Sequence, residues 1–211
     1  SLRRQRQMCI RDSNIGAPTP PLQDVLNAGN TTTNNNLYIG LVSGGQSGFS
    51  NVGLGVGALA SVGGGGAIAY SVGIGEYAGQ SDNFNGIAIG YFAGQNMSYS
   101  NSVIAIGQNA SRGASQTDSV NIGANAGYLQ SNVTYNVNIG TQTGQGSNGS
   151  YNVNLGYQAG IGANDGDNIA IGNNANNGNI SFNTIAIGKY AGFNNEGSAV
   201  VNLGDYAGYF N

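Results

Sequence analysis

The chain of 211 residues contains no histidine and only one cysteine, and charged residues make up just 7% of it. Each scarcity excludes something. Without histidine there is no Ser-His or Cys-His nucleophile pair and no imidazole metal ligand. The single Cys9 cannot form an internal disulfide. A net charge of −3 gives no electrostatic case for nucleic acid or for an anionic membrane. No run of about 18 apolar residues exists, so no membrane-spanning helix is expected.

What is abundant is glycine, 38 residues of it. Much of this glycine is periodic. One glycine recurs as Gly40, Gly55, Gly75, Gly90, Gly107, Gly123, Gly140, Gly156, Gly172, Gly188 and Gly204. The successive differences in number are 15, 20, 15, 17, 16, 17, 16, 16, 16 and 16. A fixed short period marks a repeat architecture. From Gly55 onward each glycine follows a triplet that is large, small or Asn, large. Examples are Ile169-Ala170-Ile171, Val137-Asn138-Ile139 and Val201-Asn202-Leu203, with Gly53 and Gly73 in the middle of two early copies. Alternation of period two reads as a short strand. The aliphatic pair would face a greasy core, and the small middle residue would face something close or form a ladder. The glycine marks a bend.

Three residues after most of these glycines comes an alanine: Ala78, Ala93, Ala110, Ala126, Ala159, Ala175, Ala191 and Ala207, with Thr143 as the one replacement from Gly75 onward. This reads as a second short strand. Gly, Asn, Ser and Asp then fill a return turn. So short a unit with this much Gly and Asn cannot hold a helical hairpin. It can make one coil of a parallel β-solenoid. The expected fold is all-β, a parallel β-solenoid of coils of about 16 residues, with some eleven coils spanning about 50 Å at about 4.8 Å each. Two or three buried aliphatics per coil contribute little against the entropy of ordering the whole coil. Packing of several chains is therefore expected.

The chain divides into four parts. Residues 1–13 match nothing else and hold four of the six basic residues. Arg-Gln-Met-Cys-Ile-Arg-Asp-Ser in this stretch looks like translated adaptor sequence, and we set it aside rather than read it as a basic arm. Residues 14–36 are a proline-containing linker and a short helix, suggested by Leu22, Val25 and Leu26 at i, i+3, i+4 and stopping at Gly29. Residues 37–74 are irregular first coils, and 75–211 are regular repeats. The chain has no initiator Met and its last residues fall inside a repeat, so it reads as a fragment of a longer protein. No signal peptide is visible.

Three groups of residues are candidates for function. Asn164, Asp165 and Asp167 could offer oxygen ligands to calcium. The full calcium-roll pattern is missing, and as a paired-carboxylate glycosidase site they are a polar turn with little else. Two positions after the repeat glycine stand Tyr77, Phe92, Tyr190 and Tyr206, where other coils carry Asn or Gln. Aligned aromatics could stack on sugar rings, or on one another to stiffen the coil. Gly63 to Gly66 is a glycine run without the Lys-Ser/Thr of a phosphate loop. No catalytic residue and no cofactor is expected, and the chain does not read as an enzyme.

Two resemblances bear on this pattern. Leu-Gln-x-Val-x-x-x-Gly-Asn-Thr-Thr-Thr-Asn, from Leu22 to Asn34, resembles the short element that precedes the shaft of phage tail fibres and related surface fibres. The Asn/Ser-Val/Ile-Ala/Asn-Ile-Gly-x-x-Ala-Gly unit resembles both phage tail-fibre repeats and the head repeat of trimeric autotransporter adhesins, a left-handed parallel β-roll. That head repeat is usually slightly shorter than the one here. The resemblance implies left-handedness, a homotrimer, and a trimer interface at the middle residues Ala88, Ala105, Asn121, Asn138, Asn154, Ala170, Ala186 and Asn202. It implies a structural and adhesive fibre segment on a virion or a bacterial surface. Its partners would be copies of itself and a host-cell glycan or protein receptor, with no nucleic acid and no membrane insertion in this segment. A bacterial adhesin head and a polysaccharide-cleaving tailspike are the alternatives.

Overall fold

The computed structural model describes residues 37–39, 50–60, 68, 70–81, 84–97, 100–162, 166–178 and 182–210. The expected adaptor sequence, linker and short helix, and the glycine run from Gly63, lie outside these residues. Among the described residues there is no helix, and every strand pairing is parallel.

Each aliphatic triplet forms a strand. They are β1 (Leu37–Ile39), β2 (Val52–Leu54), β3 (Val72–Ile74), β4 (Phe84–Ile89), β5 (Ser100–Ile106), β7 (Val120–Ile122), β9 (Val137–Ile139), β10 (Val153–Leu155), β11 (Ile169–Ile171), β12 (Ile185–Ile187) and β13 (Val201–Leu203). They stack in that order as one ladder, each coil on the next. The register repeats by position: Val137 pairs Val153, Asn138 pairs Asn154, and Ile139 pairs Leu155. The fold is a β-solenoid whose commonest coil is 16 residues long, the separation of Asn138 from Asn154. A second, short ladder runs through β5, β6 (Gln116–Thr117) and β8 (Val133–Thr134) on another side.

The expected second strand is not a strand. It is a pair of overlapping tight turns. In the coil after Gly75, the Ala78 N–H donates to the Gly75 carbonyl and the Gln80 N–H to the Tyr77 carbonyl. The third residue of each turn has positive φ, +56° at Tyr77 and +63° at Gly79. That is the type II pattern. A left-handed residue at every second position is incompatible with an extended strand. These turns still ladder between coils: the N–H of Tyr77 donates to the Val56 carbonyl below, and that of Phe92 to the Glu76 carbonyl.

The repeat glycine is required twice over at the corner. Gly107 sits at φ +127°, and a Cβ there would stand 2.6 Å from the Gly123 carbonyl oxygen of the next coil. No other residue type fits.

The interior is the reverse of the sequence expectation. The middle residues of the triplets point in. Ala88, Ala105, Asn121, Asn138, Ala170 and Ala186 are wholly buried, with Asn154 and Asn202 nearly so. The alanines of the turn side face them, and all but Ala207 are buried too. Their aliphatic neighbours point out: Ile139 is 41% exposed, Ile187 38% and Ile87 37%. The reason is size. Where the triplet strand faces the tandem turns, the interior is only a methyl or an amide wide, so the branched side chains of the triplets point out.

That interior changes character along the axis. Leu59, Ile68, Phe84, Met97 and Val103 fill the early coils. Ala159, Ala170, Ala175, Ala186 and Ala191 fill the later ones. Between them lies an amide ladder. Asn154 Nδ2 donates to Asn138 Oδ1 at 2.8 Å, and Asn138 Nδ2 to Asn121 Oδ1 at 2.7 Å. Asn121 Nδ2 in turn donates to Ser111 Oγ and Gln116 Oε1. A second buried row stands at the corner before the triplet. There Asn136, Asn152 and Asn168 each accept, on Oδ1, the backbone N–H one coil further on.

Candidate functional site

Two surfaces stand out. The first is the outward face of the main sheet. In-register stacking turns the outer positions of the triplets into two continuous aliphatic rows along the solenoid. One runs Ile104, Val120, Val137, Val153, Ile169, Ile185; the other runs Ile106, Ile122, Ile139, Leu155, Ile171, Ile187. No charged residue interrupts either row. Ile139, Ile169 and Ile187 are exposed and the other nine are partly exposed.

This places the expected trimer-interface residues. Ala88, Ala105, Asn121, Asn138, Asn154, Ala170, Ala186 and Asn202 cannot line an interface, because the chain's own atoms already bury them. Their aliphatic neighbours on either side are the residues that point outward.

The second surface is the turn side, which carries the aromatic positions two after the repeat glycine. They stack on each other. Tyr77 and Phe92 lie 5.3 Å apart at 17°, and Tyr190 and Tyr206 lie 5.3 Å apart at 19°. In the first pair both outer faces are taken as well. Tyr77 packs where Gly57 below has no Cβ, and the Arg112 guanidinium covers Phe92 at 4.5 Å. No ring face of Tyr77 or Phe92 is left for a sugar. This geometry matches the stiffening ladder rather than the glycan platform. Between the aromatic pairs the row continues in amides that bond rung to rung, Gln158 to Gln142 and Asn109 to Asn125.

Two features escaped the sequence reading. Tyr135 and Tyr151 form another exposed stack, 5.2 Å apart, on the corner before the main sheet. Their one-coil spacing is visible in the sequence, but they do not follow a repeat glycine at the offset the other aromatics share. Arg112 is the other. It lies over Phe92 while Nε donates to Gln95 Oε1 at 3.0 Å and Nη1 to Asn109 Oδ1 at 3.4 Å. Tyr91 stands beside Phe92, 3.9 Å between centroids, and is 43% exposed. Nothing in the repeat pattern singles out a lone arginine.

Of the calcium candidates, Asn164 and Asp165 lie outside the described residues. Asp167 occupies a left-handed corner, its N–H donating to the Ser150 carbonyl. Among the described residues no three His, Cys, Asp or Glu side chains converge as a metal site, and no helix is long and apolar enough to cross a membrane. No family model, no curated protein and no solved structure matches this chain.

Proposed function

We propose that the chain is a structural segment of a multi-chain surface fibre of the phage tail-fibre type, supporting or performing attachment to a cell surface. Copies of it pack side by side through their aliphatic sheet faces, three to a fibre. The observation that carries this reading is the pair of outward-facing aliphatic rows. A free solenoid would keep this face, about 24 Å long over the six rungs of the rows, in water. Packing like faces together removes it from water. The amide-rich, sparsely charged turn side then faces outward, where three identical chains repeat each weak contact and avidity raises the total. The number three rests on the resemblance of the repeat to trimeric fibres and adhesin heads.

Light scattering after size exclusion tests this. The expected mass is three times the 21.3 kDa of one chain. Changing Ile122→Lys and Ile139→Lys together should give a folded monomer with an unchanged far-UV spectrum. A wild-type chain that is folded and monomeric at micromolar concentration would sink the assembly.

A further inference from the structure

We propose that Arg112, stacked on the Phe92 ring that Tyr91 also packs against, is a contact point for a carboxylate-bearing saccharide; this names the ligand class for the attachment role above and rests on that role. Three contacts hold the guanidinium still: the face of Phe92 and the two amide oxygens of Gln95 and Asn109. All three partners are neutral. No described carboxylate lies within ion-pair distance, and none of the described residues accepts a hydrogen bond from Nη2. The side chain is therefore pre-oriented but not neutralised, and it keeps an open edge of its fork. That edge matches a carboxylate, which takes two parallel N–H donors.

The surroundings favour a sugar over other anions. Tyr91, packed against the same Phe92 ring, gives a flat, half-exposed ring and a hydroxyl, suited to the C–H face of a pyranose and to one of its hydroxyls. The neighbouring Gln108 supplies an exposed neutral amide. The only other cation among the described residues is Lys189, far along the axis, and the chain as a whole carries −3. A densely anionic polymer such as nucleic acid or an acidic peptide run would meet one positive charge on a negative molecule. A polysaccharide with a single uronic acid in each otherwise neutral repeat would meet a charge it can match. The site lies on the turn side and leaves the aliphatic face free for assembly. Repetition across chains would multiply a weak individual contact.

The test is NMR titration of the intact assembly, following the Arg112 Nε–H and the Tyr91 ring, with a hyaluronan tetrasaccharide as the probe and its methyl ester as the uncharged match. The acid should shift both signals saturably at about 1–10 mM, and the ester should bind about tenfold more weakly. R112Q should abolish the shifts. R112K, which keeps the stacked cation but loses the fork, should weaken binding about fivefold and controls for loss of fold. Equal binding of the ester, or unchanged binding by R112Q, overturns the inference. So does polyglutamate shifting the same signals as strongly, since that would make the site a general anion contact. Whole-cell attachment separates the two levels. If R112Q attaches as wild type does, this inference alone falls; if the wild type attaches to no cell, the attachment role falls.

Discussion

At the scale of single residues, the interior works by complementary sizes. The middle residue of a triplet faces the residue six positions on. Asn121, Asn138, Asn154 and Asn202 face Gly127, Gly144, Gly160 and Gly208, and a Cβ on any of these glycines would run into the asparagine amide. Where the triplet carries alanine the partner can grow, as in Ala105 with Ser111 and Ala170 with Asn176, both partners being buried. Gly160→Ala should therefore cost about 2–4 kcal/mol, from the clash together with the left-handed backbone at φ +64°. In an Asn154→Ala background the same change should cost only about 1–2 kcal/mol, the backbone share. Urea unfolding of the four proteins measures the coupling, and strictly additive costs would refute the pairing. This reciprocity was present in the sequence. It stayed hidden because period-two alternation says that two faces differ without saying which is inside. Hydrophobicity argued for the aliphatics inside, but coil width sends them out.

At the scale of the element, the strand triplets and the repeat-glycine corner were legible, since alternation and fixed spacing are local signals. The turn side was not. Its left-handed positions are filled by Tyr, Phe, Asn and Gln as well as Gly: Tyr77, Phe92, Asn109, Gln142 and Gln158 all have φ between 54° and 59°. Only inter-coil backbone bonds and rung-to-rung stacking hold residues like Phe92 or Gln158 there, and those are invisible in one coil. A β-branched residue has the least tolerance for this backbone. Gln158→Val should destabilise by about 2 kcal/mol or more, and Gln158→Asn by less than about 1 kcal/mol. Thermal unfolding compares them. Equal stability would mean that the turn side can relax towards a strand.

At the scale of the whole molecule, the two rows of branched aliphatics tie stability to association. If copies cover them, the melting temperature should climb with protein concentration, several degrees across a hundredfold range, and the Ile122→Lys, Ile139→Lys chain should lose that dependence. Calorimetry at a series of concentrations decides this, and a concentration-independent wild-type transition counts against assembly. The aliphatic rows were readable as a pattern in the sequence, whereas their exposure is a property of the closed coil. One further consequence follows from the residue-for-residue register between neighbouring coils. Length in this molecule is a discrete variable. Removing the 16 residues from one corner asparagine to the next, Asn152 to Asn168, joins like to like in the corner and aliphatic rows and shortens the shaft by one rung, about 4.8 Å. A cut that is not a whole coil leaves every later rung facing the wrong neighbour. Reach can thus be adjusted in steps, by duplication or loss of whole coils, with no redesign of the parts.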